Sequence, residues 1–237
     1  MPTLPRPECR LGAGRRLVDR RVGKRWSECS VFSAGPEQTR GVPRPTLSEI
    51  IDGQLIASDS EIYPTEDEPV RAIDVLGPYG AVFRFSADEG GAWYASCAVA
   101  CRADDGSWRD TGSSGTHGAP LELPWKPSSR TLNGQTIAIF GSGGMDVGEG
   151  TSTFLRSIFG FVDPSVRHLR VSDTTRERVI EVSSPVGAFA ALVLSGSAVE
   201  LQGINEAGED VGQPATVTRI EDPCRRRFRR RNRRSRG

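Results

Sequence analysis

The chain has 237 residues, and its 31 Lys and Arg nearly balance its 30 Asp and Glu. This length allows one large domain or two small ones, each with its own core. The near balance hides an asymmetry, because residues 29–224 hold 14 bases against 27 acids while residues 225–237 hold nine arginines and no acid. An acidic body argues against nucleic-acid binding by the folded part of the chain.

Apolar segments long enough for a membrane are not found in the sequence. The longest apolar run, Val186 to Leu194, is far shorter than the ~20 residues that cross a bilayer. No apolar stretch follows the basic residues near the N-terminus, as a secretory signal would require. We therefore expect a soluble, cytoplasmic protein without a membrane partner.

The N-terminal part is expected to be a basic leader followed by one helix. Residues 1–45 contain scattered Arg, Gly and Pro with no apolar period, which predicts disorder. Thr46 and Glu49 then form a capping box, and a helix over 47–56 is predicted because apolar residues recur at helical spacing at Leu47, Ile50, Ile51 and Leu55. We expect this helix to pack on a sheet edge, although its apolar face could instead recruit a partner.

Short segments rich in Val, Ile and Phe occupy the rest of the chain. Gly, Pro, Ser and Asp separate them, and this punctuation predicts antiparallel strands. The predicted strands are Val70 to Leu76, Ala81 to Phe85, Trp93 to Arg102, a return strand beginning at Ser107, Gln135 to Phe140, Val166 to Val171, Arg178 to Val182, Gly187 to Leu194 and Val199 to Asn205, and Thr151 to Val162 leads into the second group.

This strand pattern predicts a mainly β protein, namely an antiparallel β-sandwich or barrel-like fold with one short N-terminal helix and disordered basic ends. We expect a single all-β domain over 46–222 with two sheets, over 70–140 and 151–220, and a tail over 223–237. Two separate modules remain the alternative. The single domain is favoured because Thr151 to Phe161 continues into the second half without a linker.

The second half resembles β-rich domains of uncharacterised actinobacterial proteins. The residues that carry the resemblance are Val166 to Val171, Val179 to Val182, Gly187 to Phe189, and Val199 to Gly208 with its Asn205-Glu206-Ala207-Gly208 turn. The resemblance implies a β fold and an actinobacterial source, and it implies no catalytic residues. Within this region His168 alternates with Leu169 and Val171, which predicts an exposed imidazole beside two inward side chains.

Two long Gly-rich connections are predicted over 112–130 and 141–150, and such loops are either functional or simply mobile. Their polar residues are the candidate ligand contacts, namely His117, Ser142, Asp146 and Glu149. His117 could also act with Ser142 or Ser114, and with Asp146, as a hydrolase triad. The sequence has no G-x-S-x-G elbow, so a hydrolase ranks third among the functional hypotheses.

No metal and no cofactor is predicted. The two histidines are isolated, and the cysteines are too far apart in sequence to suggest a four-ligand zinc site. The glycines from Gly141 to Gly144 are not followed by the Lys-Ser or Lys-Thr pair of a phosphate-binding loop.

The arginine-rich tail is the strongest compositional signal. Its residues could neutralise phosphates of RNA or DNA while Phe228 stacks on a base, the arginines being Arg225, Arg226, Arg227, Arg229, Arg230 and Arg231. The other interpretation is a disordered end that arises from a GC-rich reading frame.

Two hypotheses of different class follow. The first is a non-enzymatic β-sandwich module that binds a protein or a small ligand through Gly-rich loops. The alternative is a nucleic-acid-associated protein that acts through its C-terminal tail. No motif indicates which partner the chain binds.

The tail hypothesis predicts weak, sequence-blind binding of single-stranded RNA that disappears in a chain ending at Asp222. Nine arginines contact at most nine phosphates, so the slope of log K against log salt concentration reaches about −6 on a single strand. Fluorescence titration of both chains at two salt concentrations measures this slope. Identical behaviour of the two chains would remove the tail from consideration.

Overall fold

The computed structural model describes residues 44–147, 154–183, 186–195 and 197–218. This part of the chain contains one short helix and a series of antiparallel strands. In chain order the elements are α1 (Leu47–Gly53), β1 (Val70–Leu76), β2 (Tyr79–Ala87), β3 (Trp93–Arg102), β4 (Trp108–His117), β5 (Ile137–Asp146), β6 (Phe154–Val162), β7 (His168–Ser172), β8 (Glu177–Glu181), β9 (Ala188–Leu194), β10 (Val199–Ile204) and β11 (Asp210–Val217).

The strands form three antiparallel sheets. Sheet 1 has the order β1-β2-β3-β4, sheet 2 the order β5-β6-β9, and sheet 3 the order β11-β10-β7-β8. No sheet closes on itself among the described residues, and the predicted mainly β, sandwich-type fold is confirmed. The expectation of two sheets is wrong, because β5, β6 and β9 form a separate layer that combines strands from both halves of the chain.

Sheet 2 forms the middle layer because both of its faces are apolar. In β6, Leu155, Phe159 and Phe161 belong to the cluster shared with sheet 1, whereas Ile158 and Val162 belong to the cluster shared with sheet 3. Strand β9 alternates in the same way between the two clusters. Strands that are covered on both faces have continuous apolar sequences instead of alternating ones, as β9 does, whereas β6 is interrupted by Arg156 and Ser157.

Aromatic rings fill the core between sheets 1 and 2. The ring of Phe83 lies 5.2 Å from that of Phe159 and 5.4 Å from that of Phe161, and the ring of Phe85 lies 5.1 Å from that of Phe161. These centroid distances are those of tilted and edge-to-face aromatic pairs, each of which adds about 1 kcal/mol to the burial of its rings. The first sheet is therefore held to the second by a close-packed aromatic layer.

The core between sheets 2 and 3 is aliphatic. Leu169 and Val171 point into it and are 0% and 3% exposed, while the neighbouring His168 is exposed. The predicted inward pair and the predicted surface imidazole are both confirmed.

Helix α1 packs on sheet 1, but on a face of the sheet and not at the predicted edge, because its cluster includes residues of all four strands. Ile50 and Ile51 are buried against Val82 and Trp108, and the Trp108 indole Nε1 donates to Asp52 Oδ1 at 2.9 Å. The helix ends at Gly53, earlier than the predicted 56, because the next residue, Gln54, takes a left-handed conformation with φ of 50°.

The two predicted Gly-rich connections are strands over much of their length, so these predictions are wrong. Residues 112–117 belong to β4 and residues 141–146 belong to β5, and β11 was not predicted at all. The glycines of β5 allow neighbouring strands to pack closely against its backbone. A Cβ on Gly141 would lie 2.4 Å from the Phe159 ring, and one on Gly143 would lie 2.7 Å from Ser114 Cβ. Small residues can thus mark tight packing between strands instead of mobility.

A buried ion pair joins the three sheets. Asp74 of β1 accepts hydrogen bonds from both terminal nitrogens of Arg178 in β8, with Nη1 at 3.0 Å from Oδ1, and from the backbone N–H of Leu192 in β9 at 2.6 Å. Arg178 Nη2 also donates to the Leu192 carbonyl at 2.8 Å. The side chain of Asp74 is only 8% exposed, so each of its oxygens is satisfied by protein groups.

A buried thiol lies in the core between sheets 1 and 2. Cys97 of β3 is a free cysteine with no exposed surface. Burial raises the pKa of this thiol to about 12, although a hydrogen bond with Ser157 opposes the shift. Cys97 is therefore a protonated core residue at neutral pH.

Replacing Asp74 with Leu is expected to destabilise the fold by about 3 kcal/mol, because it leaves the Arg178 guanidinium and the Leu192 N–H without their acceptor. The free energy of unfolding from urea titration measures the loss. Arg109→Gln is the matched control, since the Arg109 side chain is 56% exposed and pairs only with another exposed side chain; we expect a change below ~0.5 kcal/mol. A small and equal change in both variants would show that the buried pair contributes little.

Replacing Gly141 with Ala is expected to cost about 2 kcal/mol, because the added methyl overlaps the Phe159 ring, which is fully buried and cannot move aside. Gly53→Ala is the control. Its added methyl meets only the exposed Leu55 side chain at 3.4 Å, and alanine favours the helix. Thermal melts of both variants test this. Equal melting temperatures would mean that β5 tolerates a side chain at Gly141 and that its glycines have another role.

Candidate functional site

The predicted triad partners do not meet. His117 is the last residue of β4 and lies opposite Tyr94 of β3, on the outer, exposed face of sheet 1. Ser142 of β5 pairs with Ile158, whose side chain belongs to the core shared with sheet 3. Paired residues of antiparallel strands share a face, so Ser142 and His117 lie on faces of two different layers.

Ser114 does not complete a triad either. It pairs with Cys97, which is an inward residue of sheet 1, and its hydroxyl is buried without a hydrogen-bond partner. Ser114 therefore faces away from His117. The described part of the chain thus places neither candidate serine beside this imidazole.

The remaining predicted residues lie at or beyond the limits of the described structure. Asp146 is the last residue of β5, whereas Glu149 and the tail residues 225–231 lie outside the described residues. No group of three or more His, Cys, Asp or Glu side chains within the described ranges is arranged to hold a metal ion. Of the four polar residues predicted as ligand contacts, His117 and Ser142 lie on different layers, and the prediction for Glu149 falls outside the described residues.

A different group of residues surrounds a cleft of ≈ 150 Å³. Its walls come from four separated parts of the chain, beside the C-terminal end of β6 and the N-terminal end of β9. The lining residues are Ser60, Lys126, Pro127, Val162, Pro164, Val166, Arg167, Val182, Ser183, Val186 and Gly187. We refer to this site as the cleft.

The floor of the cleft is aliphatic and rigid. Val162, Val166, Val182 and Val186 line it, and each is at most 5% exposed because its other side packs in one of the two cores. Buried, close-packed side chains keep their positions. The floor is therefore rigid, and it leaves almost no apolar surface open to solvent.

Backbone pairing fixes the rim. Trp125 N donates to the Ile62 carbonyl at 3.0 Å, and this isolated bridge places Ser60 and Lys126 on neighbouring segments. On the other side, Ser183 N donates to the Ala188 carbonyl at 2.9 Å and closes the turn before β9. Gly187 occupies this turn with φ of 67°, and a Cβ there would lie 2.9 Å from the Val162 carbonyl oxygen, so glycine suits this position best.

The polar groups of the cleft have unused hydrogen-bonding capacity. The Ser183 hydroxyl is buried and has no partner. Lys126 Nζ lies 3.6 Å from Glu61 Oε1, and Arg167 Nη1 donates to the Pro164 carbonyl at 3.0 Å. A buried hydroxyl without a partner is destabilising by about 1–3 kcal/mol unless a bound group satisfies it. The arrangement can therefore hold a small molecule through hydrogen bonds with the polar side chains at its rim.

Sequence reasoning missed the cleft because its lining comes from segments that are distant along the chain. The valines read as ordinary core residues of β strands, and Lys126 and Arg167 are isolated bases without a motif. The one local signal was the connection between β8 and β9. The sequence marks it with Ser183, Pro185 and Gly187.

Comparison with protein-family models, curated proteins and solved structures found no match to this chain. The resemblance of the second half to actinobacterial β-rich domains therefore stays a prediction. None of the helices in the described residues is both long and apolar enough to span a membrane.

Proposed function

We propose that the chain is a non-enzymatic binding module that takes one small organic molecule into the cleft. The observation that carries this proposal is a cleft of ≈ 150 Å³ whose described lining includes the polar side chains of Ser60, Lys126 and Arg167. Binding sites for small molecules are concave and mostly apolar, with a few placed polar groups that orient the ligand.

The size of the cleft limits the ligand. A cavity of about 150 Å³ lined by aliphatic side chains holds one benzene molecule in a well-studied case. The cleft has a similar volume, ≈ 150 Å³, but is open to solvent on one side. We expect a ligand of roughly ten non-hydrogen atoms with a polar group at the rim.

This proposal moves the binding site away from the Gly-rich segments. Residues 112–117 and 141–146 pair within sheets 1 and 2, so their backbone groups are engaged in strand pairing. Among the described residues, the lining of the cleft contains the hydroxyls of Ser60 and Ser183 but no histidine and no carboxylate that could activate them. Binding without catalysis is therefore the function that these residues favour.

A nucleic-acid role for residues 225–231, a protein partner and a cytoplasmic location stay predictions. None of the described residues carries an argument for them. Small-molecule binding in the cleft and nucleic-acid binding by residues 225–231 are compatible hypotheses, because they involve different residues of the chain.

Ser60→Trp is expected to abolish small-molecule binding, because Ser60 is exposed at the rim and an indole there covers the floor. Ser58→Trp is the matched control, since Ser58 is also exposed and does not line the cleft. Saturation-transfer NMR with a set of neutral, cationic and anionic molecules of about ten non-hydrogen atoms measures binding to each chain.

We expect at least one molecule to bind the natural chain and the Ser58→Trp variant but not the Ser60→Trp variant. Thermal melts of both variants establish that they are folded. The proposal fails if no molecule in the set binds, or if every bound molecule is retained by the folded Ser60→Trp variant.

A further inference from the structure

Strand β4 has one open edge. It is the last strand of sheet 1, and among the described strands it pairs only with β3. After a bulge near its start, its register with β3 is regular from Gly112 to His117, where exposed and half-buried residues alternate. An open strand edge presents a row of unpaired N–H and C=O groups that can pair with another chain.

The hydrogen bonds of β3 show which backbone groups of β4 are already paired. The carbonyl of Val99 points toward β4 and accepts from Thr111 Oγ1 at 2.7 Å. The N–H of Arg102 points to the opposite side and donates to the carbonyl just before β2 at 2.7 Å. Bonded residues alternate along an antiparallel pair. The partners of Ser114 and Thr116 lie two and four positions from Val99, so these two residues bond to β3.

The residues between them point the other way. Ser113, Gly115 and His117 direct their N–H and C=O groups out of sheet 1, and all three are exposed. No backbone–backbone hydrogen bond from another described element reaches them. The open edge of β4 therefore offers donors and acceptors at regular spacing.

Two other edges in the described structure carry features that discourage pairing. Strand β11 contains Pro214 and Gly212, the latter with φ of 69°. Strand β8 has only five residues, of which three are charged, namely Glu177, Arg178 and Glu181. Prolines, charges and shortness protect sheet edges from other chains. Strand β4 has neither a charged residue nor a proline from Thr111 to Thr116.

We propose that β4 pairs in antiparallel orientation with β4 of a second copy of this chain, about a two-fold axis at Ser114. In this register Ser113 of each copy lies opposite Gly115 of the other. Their outward groups then form about four hydrogen bonds across the interface. The two copies share one continuous sheet, and the interface does not involve the cleft.

The side chains of β4 favour a second copy over an unrelated peptide. When a strand is added to a sheet edge, main-chain hydrogen bonds provide affinity and pockets for alternate side chains provide specificity. Ser113 and Gly115 form no such pocket, so a foreign strand would not be selected by its sequence. A two-fold pair needs no selection of this kind, because the same residues make every contact twice.

Tyr94 of β3 adds a side-chain contact to the interface. Its ring lies over Gly115, since a Cβ on that glycine would lie 3.2 Å from Cε2 and closer still to the hydroxyl oxygen. Tyr94 is nevertheless 44% exposed. A strand paired with β4 lies beside this ring and covers part of it, and an aromatic ring over an edge glycine is a known way to stabilise strand pairing.

Sedimentation equilibrium of the full chain is expected to show a monomer–dimer equilibrium. Ser113→Pro removes an outward N–H from each copy, and we expect it to raise the dissociation constant at least ~10-fold. Proline is tolerated on an edge strand where the N–H faces solvent, and thermal melts establish that the variant is folded. Ser113→Ala keeps the N–H and is the matched control, with a change below about 2-fold.

Salt distinguishes strand pairing from attraction between a basic terminus and the acidic body. Residues 44–218 contain 24 Asp and Glu against 12 Lys and Arg, so the bodies of two copies repel each other less as salt rises. We expect the dimer to persist or strengthen between low and high salt. A dimer held by the arginines of residues 225–237 would weaken instead.

Amide hydrogen exchange followed by NMR tests the pairing without a substitution. The N–H groups of Ser113 and Gly115 are expected to exchange slowly in concentrated solution and rapidly in dilute solution. Those of Ser114 and Thr116 are the internal reference, because they bond to β3 and exchange slowly at both concentrations.

Four results would overturn the proposal. The chain could stay monomeric at every concentration, or dimerise equally well as Ser113→Pro, which would place the interface elsewhere. A dimer that weakens with salt would indicate attraction through the basic termini. Slow exchange of Ser113 and Gly115 in the dilute monomer would show that another segment of the same chain covers the edge. If Ser113→Pro does not fold, the concentration dependence of exchange decides.

Discussion

Asp74 forms the interaction on which the relation of the three sheets depends. It belongs to β1, yet its carboxylate is bound by a guanidinium from β8 and by a backbone N–H of β9. Hydrophobic contact between layers is strong but non-directional, and it would allow the sheets to slide. A buried carboxylate must have all its partners in place at once, so this group fixes one edge of each layer relative to the other two.

The middle layer determines where a ligand site can form. Sheet 2 has apolar side chains on both faces. The cleft lies at the end of β6, where the valines beneath it are packed in the two cores and are at most 5% exposed. Its rim comes from the connecting segments that cross this end.

The charges of the cleft stand out only against the acidic body. Two isolated bases would be unremarkable in a balanced protein, since exposed charges contribute little by themselves. Here they are the charged residues in the described lining of the cleft, whereas acids outnumber bases twofold over residues 44–218.

Local patterns in the sequence determined the β class, most strand positions, the docked helix and the inward faces of Leu169 and Val171, because alternation and turn residues act over a few neighbours. Tertiary structure decided the rest. Nothing local distinguishes a glycine that allows a ring at 2.4 Å, such as Gly141, from a glycine in a loop. In the same way, Lys126 and Arg167 lie 41 positions apart in the chain, and only the stacking of the sheets brings them to one cleft. Long-range proximity is a property of packing, and a single sequence does not encode it in any short segment.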